Sequence, residues 1–240
     1  MRRLKNWLID TPLLLRLSLK LQFGRWFWLV PVIALLWPAY NALALVAGWR
    51  DRGFEPGDAQ SGLIGLPLYL LAVGLGVRII AGEIENRTLE VTYTVPGGAQ
   101  RVWISKMIAA LLPLIAAQIL LAIVCAAFFT PFPLSALYGT FQGIVFYLAL
   151  AMGLGALTRS EITATLLAAI VLFLNGMITG FGENQIRWSP FFNPLGVPEQ
   201  NQSEILAWTL QNRIGMALAV MALVALSCVR AERREELLRM

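Results

Sequence analysis

The side chains of this chain that can do chemistry gather in one polar island, Glu83 to Lys106, set between two long hydrophobic runs. It reads Glu83-Ile84-Glu85-Asn86-Arg87-Thr88-Leu89-Glu90, then Val95-Pro96, then Arg101 and Lys106 where the next apolar run opens. Wound as a helix, Glu83, Arg87, Glu90 and Thr94 recur at helical spacing beside a mostly apolar stripe of Ile84, Thr88, Val91 and Val95. Glu83 four residues before Arg87 is the favourable order for an ion pair, worth about 0.2 to 0.5 kcal/mol in an isolated helix. Pro96 with Gly97-Gly98 stops that helix. Amphipathicity alone fits equally a helix lying in a headgroup layer.

The rest of the inventory is mostly exclusion. The chain has no His, which removes His-Glu zinc motifs, catalytic triads and His-ligated haem. It has no Gly-x-x-x-x-Gly-Lys-Ser/Thr loop, so it does not bind and split ATP by that route. Its Asp and Glu residues sit in loops, at ends and in the island, leaving no carboxylate at mid-span for a proton relay. Cys125 and Cys228 fall inside apolar runs as small hydrophobes. Met and Cys share no ligand spacing, and no nucleophile and base pair within the spans. Catalytic, cofactor and metal residues are therefore expected to be absent, and the chain is not expected to be an enzyme.

The elements that must hold the island follow from composition. At 58% hydrophobic and 14% charged residues over 240 positions, the chain is far more apolar than a soluble domain. Runs long enough to cross a hydrocarbon layer of about 30 Å lie at 26–47, 63–82, 107–128, 135–157, 162–181 and 205–229. Gln211, Asn212 and Arg213 interrupt the last, which places its true start as late as Ile214. The expectation is an all-α integral membrane protein with six spans, a single transmembrane domain over 1–240 with an interfacial segment at 1–25 and a tail at 230–240.

Basic residues concentrate before the first span, in the island, at Arg159 and in the tail at Arg230, Arg233, Arg234 and Arg239. By the positive-inside rule both termini and the island face the cytoplasm, and the net charge of +5 serves topology and lipid contact rather than nucleic acid. Asp10-Thr11-Pro12 starts a helix that runs to about Arg25. Gly48 to Gly62 and Thr130 to Pro133 read as loops, and Trp188 to Gly196 as a headgroup belt or a short re-entrant element. Gln118, Gln142 and Asn175 within the spans are read either as interhelical hydrogen bonders or as facing a substrate path, with Thr179 beside Asn175 as further lining. Arg78 snorkels to headgroups or pairs with Glu83 or Glu85. Gly153 and Gly155 mark close helix contacts, within one subunit or between two.

The island's order, an acidic residue just past span two, Thr88-Leu89-Glu90, Pro96 and a Lys opening span three, resembles the ABC-2 type permease pattern. The resemblance implies a coupling helix between spans two and three that docks on a separate cytoplasmic ATPase. It assigns that contact to Glu83, Glu85, Arg87, Thr88, Leu89, Glu90, Pro96, Arg101 and Lys106. Arg87 stands where many members of the family have Gly, and Gly97 to Arg101 departs from their usual ending. The family also implies an interfacial helix before span one, an exporter half in the inner (plasma) membrane that pairs with a second permease half, and ATP and Mg bound only by the partner ATPase. The competing class is an ATP-independent channel-like carrier or a membrane scaffold for another complex.

Overall fold

A computed structural model of the chain describes residues 15–24, 26–49, 53–95, 98–180, 186–197 and 204–232. The described residues are helices and turns without strands, and six helices are long and apolar enough to cross a membrane. Span one is Leu29–Val46, span two Pro56–Arg78, span three Ala99–Phe128, span four Leu134–Thr158, span five Glu161–Thr179 and span six Ile205–Glu232. Of the expected interfacial helix, residues 15–23 are helical and its start lies outside the described residues.

Spans two and four form the middle of the bundle, with 67% and 61% of their residues buried against 22 to 28% for spans one, five and six. Span four packs on spans two, five and six, while span one lies chiefly along span three. Small residues set these distances. A Cβ on Gly76 of span two would sit 2.5 Å from the Leu148 carbonyl oxygen of span four, and one on Gly155 would sit 3.1 Å from the Val77 carbonyl oxygen. The glycines at 153 and 155 thus mark contacts inside this chain. The apolar outward faces of spans one, five and six suit lipid, since nothing in hydrocarbon drives leucines inward.

Span two begins seven residues earlier than hydropathy suggested, so the expected loop at 48–62 ends before Pro56. A capping box explains this: the Glu55 N–H donates to Asp58 Oδ2 at 3.0 Å and Pro56 takes the first helical position. The next turns, Ala59–Gly65, are π-helical, with the Leu66 N–H reaching back to the Ser61 carbonyl. A widened turn leaves backbone carbonyls short of partners. Here Thr140 Oγ1 donates to the Gln60 carbonyl at 2.9 Å and Trp37 Nε1 to the Gly62 carbonyl at 2.8 Å, so spans four and one complete what the π segment opens.

Span six starts at Ile205, where the apolar run begins, and not at the later alternative, Ile214. Of the polar residues near its start, Gln211 is exposed, while Asn212 and Arg213 bond within the bundle. Asn212 is fully buried, accepts from Gln142 Nε2 at 2.8 Å and donates to the carbonyls of Arg187 and Ser189. Arg213 donates to Gln142 Oε1 at 3.0 Å and lies over the Tyr138 ring. Ring stacking buries Phe191 against Tyr69 and Tyr147, with ring centroids 5.2 and 5.8 Å apart. Tyr147 is thirteen residues, about 20 Å, from the start of span four, so the Phe191 ring reaches well along the bundle, while Asn193 bonds the Gly57 carbonyl at the start of span two. Ser189, Phe191, Phe192 and Asn193 are all buried by protein.

The glycine contacts generate a paired test. Gly76→Ala drives a methyl group into backbone and is expected to cost about 1 to 3 kcal/mol. Gly74→Ala, with nothing within 4 Å of the new Cβ, is expected to stay within about 0.5 kcal/mol of wild type or to gain slightly from helix propensity. Thermal unfolding in one detergent measures both. Equal loss at the two positions would contradict the packing described.

Candidate functional site

The island folds as two short helices, Ala81–Glu85 and Leu89–Thr94, rather than the single one that its periodicity predicted. The break is at Arg87, whose φ of +55° is left-handed. That residue closes the first helix: its N–H donates to the Ile84 carbonyl at 3.1 Å, and the Thr88 N–H donates to the Glu83 carbonyl at 2.9 Å. An Arg in this conformation costs about 1 to 2 kcal/mol relative to right-handed backbone, and glycine takes it without strain. The helix end at Thr94 agrees with a stop before Pro96, which lies outside the described residues.

Because of the break, Glu83 does not meet Arg87. Its carboxylate is buried and turned inward, where Oε1 takes the Lys106 ammonium and the Thr92 hydroxyl at 3.0 Å, and Oε2 takes Trp103 Nε1 at 2.9 Å. Three donors on one carboxylate satisfy most of its lone pairs, the condition for a charge to be tolerated away from water. Trp103 and Lys106 are three residues apart on span three, hence on one face. That face is fastened to the island through Glu83. From the other side Gln22 of the amino-terminal helix donates to the Lys106 carbonyl at 3.2 Å.

Three further contacts tie the island down. Glu85 Oε1 accepts the Glu161 backbone N–H at 2.7 Å, capping span five where a helix N-terminus favours negative charge. Arg78 pairs with Glu161 at 3.6 Å, and not with Glu83 or Glu85 as expected. The Tyr93 hydroxyl donates to the Ala231 carbonyl near the end of span six, and the Tyr93 ring meets Trp103 edge-on at 6.2 Å. Leu89 is buried in the core. The starts of spans three and five, the end of span six and the amino-terminal helix thus meet at one face of the bundle.

Of the residues assigned to coupling, Glu83, Leu89 and Lys106 face inward, and Arg101 is half-buried. Glu85 is exposed yet engaged with span five, while Arg87, Thr88 and Glu90 form the exposed ridge of the turn and second helix. Thr92, Trp103, Tyr93 and Gln22 went unread in the sequence. The spacing of Trp103 and Lys106 was the one available signal for them.

Of the residues considered for a path, Gln118 and Asn175 bond between elements and Thr179 within its own helix. Gln118 Nε2 donates to the Leu137 carbonyl at 2.6 Å, joining spans three and four. Asn175 donates to the Tyr147 hydroxyl at 2.9 Å and accepts from Ser189 Oγ at 3.3 Å, linking spans four and five to the segment from Ser189 to Asn193. Thr179 donates back to the Asn175 carbonyl at 2.6 Å within span five. No family model, curated protein or solved structure matches this chain.

Burial of the Glu83 carboxylate sets a test. Glu83→Gln leaves the Lys106 ammonium buried without its counter-charge, and is expected to destabilise by about 3 to 5 kcal/mol. Replacing both partners, Glu83→Leu with Lys106→Met, is expected to recover most of that loss, because no uncompensated charge remains. Thermal unfolding of wild type, Glu83→Leu, Lys106→Met and the double variant closes the cycle and reads the coupling. Additive losses would show that the pair does not act as a unit.

Proposed function

We propose that the chain is the membrane-spanning permease subunit of an ABC-2 type exporter. It pairs with a second permease half in the inner membrane and rests on separate cytoplasmic ATPase subunits that bind ATP and Mg. The observation that carries the reading is the division of labour within the island. One side, through Glu83, Glu85, Leu89 and Tyr93, is fastened to spans three, five and six. The other side leaves Arg87, Thr88 and Glu90 exposed. An element held this way passes a displacement at its outer ridge to several spans at once, as a coupling helix must.

Two features refine the family's pattern. Glu83 acts behind the contact, fixing the island's attitude, and the docking surface is the ridge of Arg87, Thr88 and Glu90. Arg87 fills a left-handed position where glycine is cheaper, which supports a role for its charge. The amides of Gln118 and Asn175 bond neighbouring elements.

The test is whether a nucleotide-binding ATPase co-purifies with this chain from its own membrane. Charge reversal of the ridge, Arg87→Glu with Glu90→Lys, is expected to leave thermal stability within about 1 kcal/mol, since both side chains are exposed. ATPase affinity is expected to fall at least about ten-fold, or about 1.4 kcal/mol. Unchanged association, with transport still coupled to hydrolysis, would refute the proposal.

A further inference from the structure

Spans four and six touch where a Cβ on Gly153 would lie 2.9 Å from Ser227 Oγ, and beside that contact they part into a groove of about 290 Å³. The groove opens sideways between the helices. Leu150, Leu157, Leu223 and Leu226 wall it, with Leu226 and Leu157 facing outward. From Leu150 to Leu157 and from Leu223 to Arg230 each wall runs seven residues, about 10 Å along a helix. Its length and lining suit a hydrocarbon chain, not a polar solute.

Charge distinguishes this groove from ordinary lipid-facing surface. The wall on span six ends in Arg230, which lines the groove. The wall on span four ends at Leu157, two residues before Arg159, which caps the helix in a left-handed conformation with φ of +59°. Glycine would cap that helix without strain, so an arginine there is kept at the expense of backbone energy. Both arginines lie at the island end of the bundle. Ala231, next to Arg230, accepts the bond from Tyr93.

We propose that this groove is a binding site for an anionic phospholipid, with one acyl chain along the leucines and the phosphate at the Arg230 and Arg159 end. Apolar walls alone would take any lipid. The two guanidinium groups supply complementarity to a phosphate that carries net charge, since a zwitterionic headgroup brings its own cation. The inference concerns lipid recognition and stands apart from the transport reading.

Native mass spectrometry of the full chain, exchanged into detergent with equal phosphatidylglycerol and phosphatidylcholine, tests the site. Wild type is expected to retain phosphatidylglycerol in at least about ten-fold preference, on a scale of about five-fold per arginine. Arg230→Gln with Arg159→Gly is expected to bring the ratio close to one; the glycine relieves strain, so the variant keeps its fold. Leu226→Trp, at an outward position, is expected to displace both lipids. Equal retention of the two lipids by wild type would overturn the proposal. So would a preference that survives loss of both arginines, or a lipid-free dimer in which a second copy fills the groove.

Discussion

The arrangement of the island depends on one buried ion pair, Glu83 with Lys106. Removing a carboxylate and an ammonium from water costs several kcal/mol each, and only close mutual approach with further hydrogen bonds offsets it. Thr92 and Trp103 supply those bonds, so four side chains from the island and span three must take their places together. Thr92, nine residues on, would lie about 13.5 Å further along one straight helix, so its bond to Glu83 goes with a chain that folds back at the left-handed turn of Arg87. That turn in turn raises Arg87, Thr88 and Glu90 to the surface. An inward acid and an outward ridge are two consequences of the same constraint.

Elsewhere the bundle uses uncharged amides for the same purpose. Gln60, Gln118, Gln142, Asn175 and Asn212 each bond to an element other than their own. Between helices in hydrocarbon, where leucine packing has no hydrophobic drive, such bonds and small-residue contacts give the assembly its register. They gather where the backbone is irregular. The π segment of span two and the Ser189 to Asn193 stretch face each other through the Gln60 bond to the Phe192 carbonyl. Irregular backbone survives at depth because other protein groups complete it.

The six spans and the loop at Thr130 to Pro133 were legible because a long apolar run has few other fates. Boundaries were less so. Hydropathy counts Gly, Gln and Asp as loop, whereas the Glu55 to Asp58 capping box starts span two among them. Gln211 to Arg213 read as an interruption because a linear scan cannot see that Gln142 of span four waits for Asn212 and Arg213. In the island the residue list was legible and its geometry was not. Helical periodicity paired Glu83 with Arg87, four residues on, while a stronger partner, Lys106, lay twenty-three residues away. Local pairing worth a few tenths of a kcal/mol gives way to a buried carboxylate's need for several donors.

The account stands on the island being one rigid body with the bundle through Glu83. A pulsed electron-spin distance measurement between labels at Glu90 and Ile162, both exposed, in a background with Cys125 and Cys228 replaced, reads this directly. One narrow distance is predicted for the otherwise native chain, broadening when Lys106→Met removes the counter-charge from Glu83. A distribution that is already broad with the pair intact, or that stays unchanged when the pair is broken, would contradict it.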